Sequence, residues 1–364
     1  MTLSVKSLSK RSMAVARHVY ADLCQRQRQS HYNHKAEVVL RAVESQRGRT
    51  DSTAVRQADE YAREVLGSAM YAPWLRVYAA VSGGFREGWI PDNYYGLVVD
   101  TRKNGDAAKI AQIKSFTGRI LDTDALPDLA YAIDGLYYSR EYRPVSQQQL
   151  VDILFARDER AVFKADNSSQ GRSVVFMMRK DFSADRPLRL PDGVFQAPIR
   201  QHDFLAAFSP TAIATVRITT ARELDGRITV KAAYLRLGRT SDEIVRSRSH
   251  VRVAVDPVSG ELAESGYLHD WRRTDTHPDT GLGFAGQAIP HFDKAAQLCR
   301  SLHQSCPHMS CLGWDLCIDR DDKPQLMEWN SRFNDIKFSE ATTGPCFRGL
   351  GWENLWRQAA LEPA

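Results

Sequence analysis

The chain has 364 residues, 43% of them hydrophobic and 26% charged, with a formal net charge of +5, the make-up of a globular protein built from two or three packed subdomains. No stretch approaches the roughly 18 apolar residues that span a bilayer, and the basic start from Met1 to Gln25 is broken by Lys6, Lys10, Arg11 and Arg17, so it lacks the apolar core of a secretion signal and a cytoplasmic protein is expected. The positive excess is not gathered into the basic, aromatic-laced block of a nucleic-acid binder.

Along the first ninety residues the pattern is helical. Ala54 to Leu66 carries apolar residues at three- and four-residue spacing among Ala, Glu and Arg. Ser82-Gly83-Gly84 breaks that pattern and Pro91-Asp92-Asn93 turns the chain. Tyr94 to Val99 then reads as a short buried strand, and Asp106 to Phe116 as a helix. Ser146 with Gln149 makes a capping box that opens a helix reaching about Ala156.

From there the texture changes to strands. Arg160 to Ala165, Val174 to Met178, Thr211 to Thr220, Arg227 to Leu237 and His250 to Asp256 are rich in β-branched residues. Asp256 to Gly260 has the composition of a hairpin turn. The arginine-rich run Arg236 to Arg252 reads as a surface for small phosphorylated or carboxylated ligands. A helix is expected from His291 to about Gln304, followed by the strand pair Leu312–Asp319 and Pro324–Asn330. Helices first and mostly antiparallel strands after them make the fold class α+β. Four of the six cysteines lie between 299 and 317, but no Cys-x-x-Cys pair occurs, so they read as buried hydrophobes rather than zinc ligands.

The sharpest chemical signal is the last strand pair. Asp315, Cys317 and Asp319 share one face of the first strand, and Glu328 and Asn330 share a face of the second. A four-residue loop, Arg320 to Lys323, pairs Asp319 with Pro324 and therefore Asp315 with Glu328. Carboxylates held opposite each other, about 4.5–5.5 Å apart, repel unless a cation joins them or one is protonated. With Asn330 beside them they offer three oxygens, which suits Mg²⁺ completed by water and phosphate. A solvated polar edge is the competing interpretation of these residues taken alone.

Asp-x12-Glu-x-Asn on two closing strands resembles the metal site of ATP-grasp enzymes such as D-alanine–D-alanine ligase and biotin carboxylase. A lysine-bearing strand with a small polar loop should then stand upstream, and Ala161 to Ala165 with Asp166 to Val174 supplies it. The resemblance implies that Lys164 reaches the α-phosphate or adenine, and that Ser168, Ser169, Gln170 and Gly171 close over the β- and γ-phosphates. Lys109, with Lys114 as runner-up, corresponds to the family's earlier nucleotide lysine. Gln196 and Ala197 fall on the strand that meets adenine, and Asp203 is the ribose candidate.

Gln201 to Leu205, Thr215 to Thr220, Tyr234 to Gly238 and the hairpin together are similar to the sugar-transfer-associated ATP-grasp proteins of bacterial polysaccharide biosynthesis, over about residues 85 to 350. One departure is Ser247 to His250, where that family tends to carry a glycine pair. The implied fold grips ATP between two α+β subdomains after a helical N-terminal region. Its parts would be a helical region at 1–90, an N-terminal subdomain at 91–145, a lid at 146–200 and a C-terminal subdomain with the metal site at 201–364. The implied activity is ATP- and Mg²⁺-dependent ligation of a small-molecule carboxylate to an amine or thiol through an acyl phosphate. Arg217, Arg236 and Arg332 are candidates for steadying the phosphoryl group and anchoring the acid, and His250 or His269 for proton transfer. A small-molecule kinase and a nucleotide-binding scaffold beside a glycosyltransferase are the alternative functions.

Overall fold

A computed structural model of the chain describes residues 27–168, 174–182, 188–332 and 334–357. Two compact units emerge, residues 1–99 with 340–364, and residues 100–339. Among its described residues the first unit is helical, with helices at 27–47, Ser52–Glu64 and Ala72–Ser82. Asp51 caps the second of these by accepting from the amides of Thr53 and Ala54. Aromatic side chains fill the interior: Trp74, Tyr78, Trp89, Tyr94, Tyr95 and Trp352 are all buried.

The strand expected at Tyr94–Val99 is instead helical, Asp92–Tyr94 running into a wide turn at Tyr95–Val99. Packing decides it. Tyr94 meets Tyr71 edge-on at 4.9 Å and Tyr95 lies 6.0 Å from Trp352. Both neighbouring tyrosines must therefore turn inward, which the alternation of a strand forbids.

The second unit carries two wholly antiparallel sheets. Strands β1 (Asp128–Ile133), β2 (Leu136–Ser139), β3 (Pro144–Val145), β4 (Arg160–Ala165), β5 (Val174–Met178) and β6 (Gly193–Gln196) form the first, in the order β3-β2-β1-β6-β4-β5. Strands β7 (Thr215–Arg222), β8 (Ile228–Leu237), β9 (Val251–Val255), β10 (Leu262–Tyr267), β11 (Arg273–Thr274), β12 (Cys311–Ile318) and β13 (Pro324–Asn330) form the second, in the order β11-β10-β9-β8-β7-β12-β13. The α+β class is thus as expected, and the capping box at Ser146 and Gln149 opens the helix Gln147–Leu154 as its spacing indicates.

Each sheet has one apolar face. Phe163 and Phe195 pair across β4 and β6 and join Leu150 and Leu154 in one core. In the second sheet Val216, Ile218, Ala233, Leu235, Val253, Trp314 and Leu316 pack with Phe292, Ala295, Cys299 and Leu302 of the helix Phe292–Gln304. The cysteines at 299, 306, 311 and 317 are buried thiols outside any disulfide, and among the described residues no group of three His, Cys, Asp or Glu is placed to hold a metal ion.

One buried polar chain crosses that core. The Trp314 indole N–H donates to Thr220 Oγ1 at 2.8 Å, and Thr220 Oγ1 lies 2.7 Å from His303 Nδ1. His303 Nε2 is 3.0 Å from the Met309 carbonyl, which can only accept. Nε2 therefore carries a proton, and because burial lowers the His303 pKa to about 4 the ring is neutral at ordinary pH, with Nδ1 accepting from Thr220.

A candidate nucleotide and metal site

Alternation along β4, β6 and β1 puts Lys164, Val194, Gln196 and Asp128 on the face opposite the phenylalanine core, and all four line one cavity. Lys114, Met327 and Glu328 line it too. Lys164 is half-buried there and its Nζ donates to the Met327 carbonyl at 3.2 Å. Burial pulls the Lys164 pKa down, while Glu328 and Asp128 push the other way. Asp128 is buried, and burial raises its pKa against hydrogen bonds from the Gln196 amide at 2.8 Å and the Tyr131 hydroxyl at 3.0 Å.

The hairpin explains how Met327 comes to face Lys164. Asp315 stands opposite Glu328 and Gly313 opposite Asn330, as expected, but Leu316 pairs with Leu326 and Ile318 with Pro324. The expected pairing of Asp319 with Pro324 is therefore not formed. Asp319 lies in the turn, where its Oδ1 accepts from the amides of Asp321 and Lys323, each at 2.9 Å. A bulge at Met327 absorbs the one-residue difference and turns that residue's carbonyl toward Lys164.

Cross-strand register also brings charges into a row. Glu328, Asp315, Arg217 and Tyr234 are successive partners across β13, β12, β7 and β8. Arg217 grips Asp315 bidentately, Nε to Oδ1 at 2.5 Å and Nη2 to Oδ2 at 2.8 Å. Arg236 adds Nη2 to Oδ2 at 2.8 Å. Burial pushes the Asp315 carboxyl up, yet the two guanidinium groups outweigh it and hold the pKa below the ordinary value. This corrects the expectation of two carboxylates left to repel each other, because Asp315 is already neutralised by arginine. Glu328 is half-buried and has no ion pair among the described residues. Asn330 Nδ2 lies 3.4 Å from Asp315 Oδ2.

Oxygen donors of Asp315, Glu328 and Asn330 on one sheet face fit a hard divalent cation in type and adjacency, and Glu328 is free of the arginines that engage Asp315. The other sequence candidates divide. Lys114 faces the cavity, donating to the Ser168 carbonyl at 2.7 Å, whereas Lys109 is exposed and ion-paired to Asp106 at 2.6 Å. The short helix that bears Lys109 turns its buried face through Ala108 and Ala111, leaving the lysine outside. Asp203 is likewise exposed, 3.4 Å from Arg320 at the start of the helix Asp203–Phe208, so neither residue lines the cavity.

Gln196 lines it through its side chain, and the Ala197 amide is already bonded to the Pro127 carbonyl at 2.8 Å. The Ser168 hydroxyl donates to Ala165 at 2.6 Å, while Ser169, Gln170 and Gly171 lie outside the described residues. Arg332 is half-buried, and its charge acts on Asp100 and Asp106. Buried His250 is pulled down to about 3 by burial and by Arg252 and Arg236, so it is a neutral imidazole at ordinary pH.

Asp128 and Arg252 are the residues that the sequence did not single out. Asp128 follows a proline at a strand edge and gives no spacing signal. Arg252 closes the basic run from Arg236, and only alternation along β9 separates it from its neighbours.

Residues 189–350 match the family model described as sugar-transfer associated ATP-grasp. The matched stretch includes Asp315, Glu328, Asn330, Arg217 and Arg236, and begins beyond Lys109 and Lys164. No curated protein matches. Among solved structures, the ADP complex of purK, an N5-carboxyaminoimidazole ribonucleotide synthetase, is 12% identical with a TM-score of 0.38, covering 61% of this chain and 45% of that one. The corresponding synthetase of Staphylococcus aureus is 10% identical at a TM-score of 0.39, over 70% and 56% of the two chains. The ATP-grasp ligase PsnB with a minimal precursor is 15% identical at 0.41, over 80% and 69%. The chain thus spans about half the length of the synthetases it matches.

Proposed function

We propose that the protein is an ATP- and Mg²⁺-dependent ligase that joins a small-molecule carboxylate to an amine or thiol through an acyl phosphate, in polysaccharide or related biosynthesis. The observation that supports this best is the cavity that Lys164 and Glu328 line from opposite sheets. A cationic anchor on one wall and oxygen ligands on the other are what a metal-bound polyphosphate needs.

In this reading Lys164 and Lys114 hold the nucleotide phosphates as point charges. Asp315, Glu328 and Asn330 would hold Mg²⁺, which would supply positive charge to neutralise the nucleotide phosphates. Arg217 fixes Asp315 by its bidentate grip. Arg236, half-buried and ion-paired to Asp315 through Nη2, brings a second guanidinium charge that would steady the transferred phosphoryl group. The γ-phosphoryl passes from ATP to the carboxylate oxygen with release of ADP. The amine or thiol then attacks the acyl carbon, and phosphate leaves as the new bond forms.

The test is a screen of acid and amine pairs for ADP release, with the product identified by mass. ADP and phosphate released only when acid and amine are both present supports the ligase. A stable phosphoester formed without amine would make the protein a kinase, and tight ATP binding without turnover on any pair would make it a scaffold.

A further inference from the structure

Arg252 is the unexplained charge in this sheet. It is 3% exposed, and its guanidinium has no ion pair or side-chain hydrogen bond among the described residues. Nε is fully enclosed and without a partner. Its contacts are instead aromatic, the guanidinium carbon lying 4.5 Å from the Trp271 ring centre and 4.6 Å from that of Phe338. Such contacts recover only part of what desolvation costs a guanidinium, and a buried charge without an ion-pair partner is left destabilised. Burial accordingly pulls the Arg252 pKa down.

Neighbouring acids do not remove the deficit. Asp315 is taken by Arg217 and Arg236. Asp335, also on this side, is ion-paired to Lys337 and accepts from the Tyr234 hydroxyl at 3.0 Å. Arg252 pairs directly with Arg236 across β9 and β8, so it extends the row of positive charge away from the metal ligands. His250, two residues earlier on the chain, is held neutral, in part by those same two arginines. A guanidinium resting on aromatic rings keeps its planar edge of donors for a partner, the geometry that suits an oxyanion.

We infer that Arg252, seated on Trp271 and Phe338, is a second anion site for the substrate, separate from the group that reacts at the metal. That its anion belongs to a substrate rests on the ligase reading, but the site itself stands on the unpartnered guanidinium. Three strand spacings separate β9 from β12, roughly 14 Å at the backbone. The substrate then carries an additional carboxylate or phosphate several bonds from its reacting carboxylate, as an acidic or phosphorylated sugar does.

The experiment follows thermal unfolding and calorimetric binding of the full chain in Tris-chloride with succinate, inorganic phosphate or neutral succinamide. The expected result is that succinate or phosphate raises Tm and succinamide does not, the stronger of the two identifying the substrate's second group as carboxylate or phosphoryl. Arg252→Met should weaken that binding roughly tenfold to a hundredfold while leaving the anion-free Tm unchanged or higher. Arg252→Lys, which keeps the charge and loses the planar fork, should lose most of it too.

Protection by neither anion would overturn the site, as would equal protection of wild type and Arg252→Met, which would place the anion elsewhere. A fall of many degrees in the anion-free Tm of Arg252→Met would show a structural guanidinium instead. Binding of ATP with Mg²⁺ is measured in parallel. Its absence in wild type would remove the ligase reading, while the succinate and phosphate results would still decide the anion site.

Discussion

Asp315 and Glu328 occupy one rung of a hairpin, yet their conservative amides should behave oppositely. Asp315 is 5% exposed and accepts from two guanidinium groups, at 2.5 and 2.8 Å from Arg217 and 2.8 Å from Arg236. Asp315→Asn keeps the shape but leaves both cations in a buried place with one neutral acceptor. Removing one partner of a buried ion pair costs about 3–5 kcal/mol. In a unit the length of residues 100–339, each kcal/mol lowers Tm by about 2–4 °C, so Asp315→Asn should melt about 6–20 °C early. Glu328 is half-buried and has no such partner among the described residues, so Glu328→Gln should stay within about 0.5 kcal/mol of wild type.

The two variants should converge only in function, each releasing little ADP because each lacks a metal ligand. Glu328→Gln should also lose the stabilisation that wild type gains from Mg²⁺ and ATP, about 2.7 kcal/mol at a hundred times Kd. Melting by near-UV circular dichroism and coupled ADP release measure both quantities. Equal losses of stability in the two variants, or normal turnover in Glu328→Gln, would refute the division between a structural and a metal-holding carboxylate.

Lys164→Ala should weaken ATP binding at least tenfold by calorimetry with little change in Tm, since it gives up one charge-assisted contact and a single bond to Met327. Thr220→Val, equal in shape, should cost about 2–4 kcal/mol in a urea melt, because it leaves both the Trp314 N–H and His303 Nδ1 unpaired in the core. Acid should weaken the fold through His303, whose pKa is lowered to about 4 by burial. The unfolded chain takes up a proton near pH 6.5 and the folded one does not. Stability is therefore fully present above that pH and falls toward pH 4, by up to about 1.4 kcal/mol per unit for this one group. His303→Gln should flatten that slope in urea melts repeated between pH 7 and pH 4.5.

What was legible in the sequence was whatever depended on neighbours along the chain. The capping box, the β-branched strands and the turn at Asp256–Gly260 are local, and they stand where their residues indicate. Tyr94–Val99 is helical rather than extended because its partners, Tyr71 and Trp352, come from elsewhere in the unit. Lys109 and Lys114 could not be separated by spacing, because each lies on its own short helix and only packing decides which lysine meets the cavity.

The hairpin shows why a correct pairing can rest on an incomplete reason. Alternation placed Asp315 opposite Glu328 on the assumption of a four-residue loop, but the Asp319 side chain ties down a longer turn and shifts the pairing by one. Without a correction Asp315 would face Met327, and Glu328 would turn to the apolar side of the sheet. The bulge at Met327 restores the carboxylate pair and aims a carbonyl at Lys164 in the same stroke. Electrostatics then took a course that alternation alone could not indicate, because the strand on the far side of Asp315 carries Arg217. The carboxylate pair is thus set up by a row four strands wide, in which Asp315 is held by arginine and Glu328 is left to the cavity.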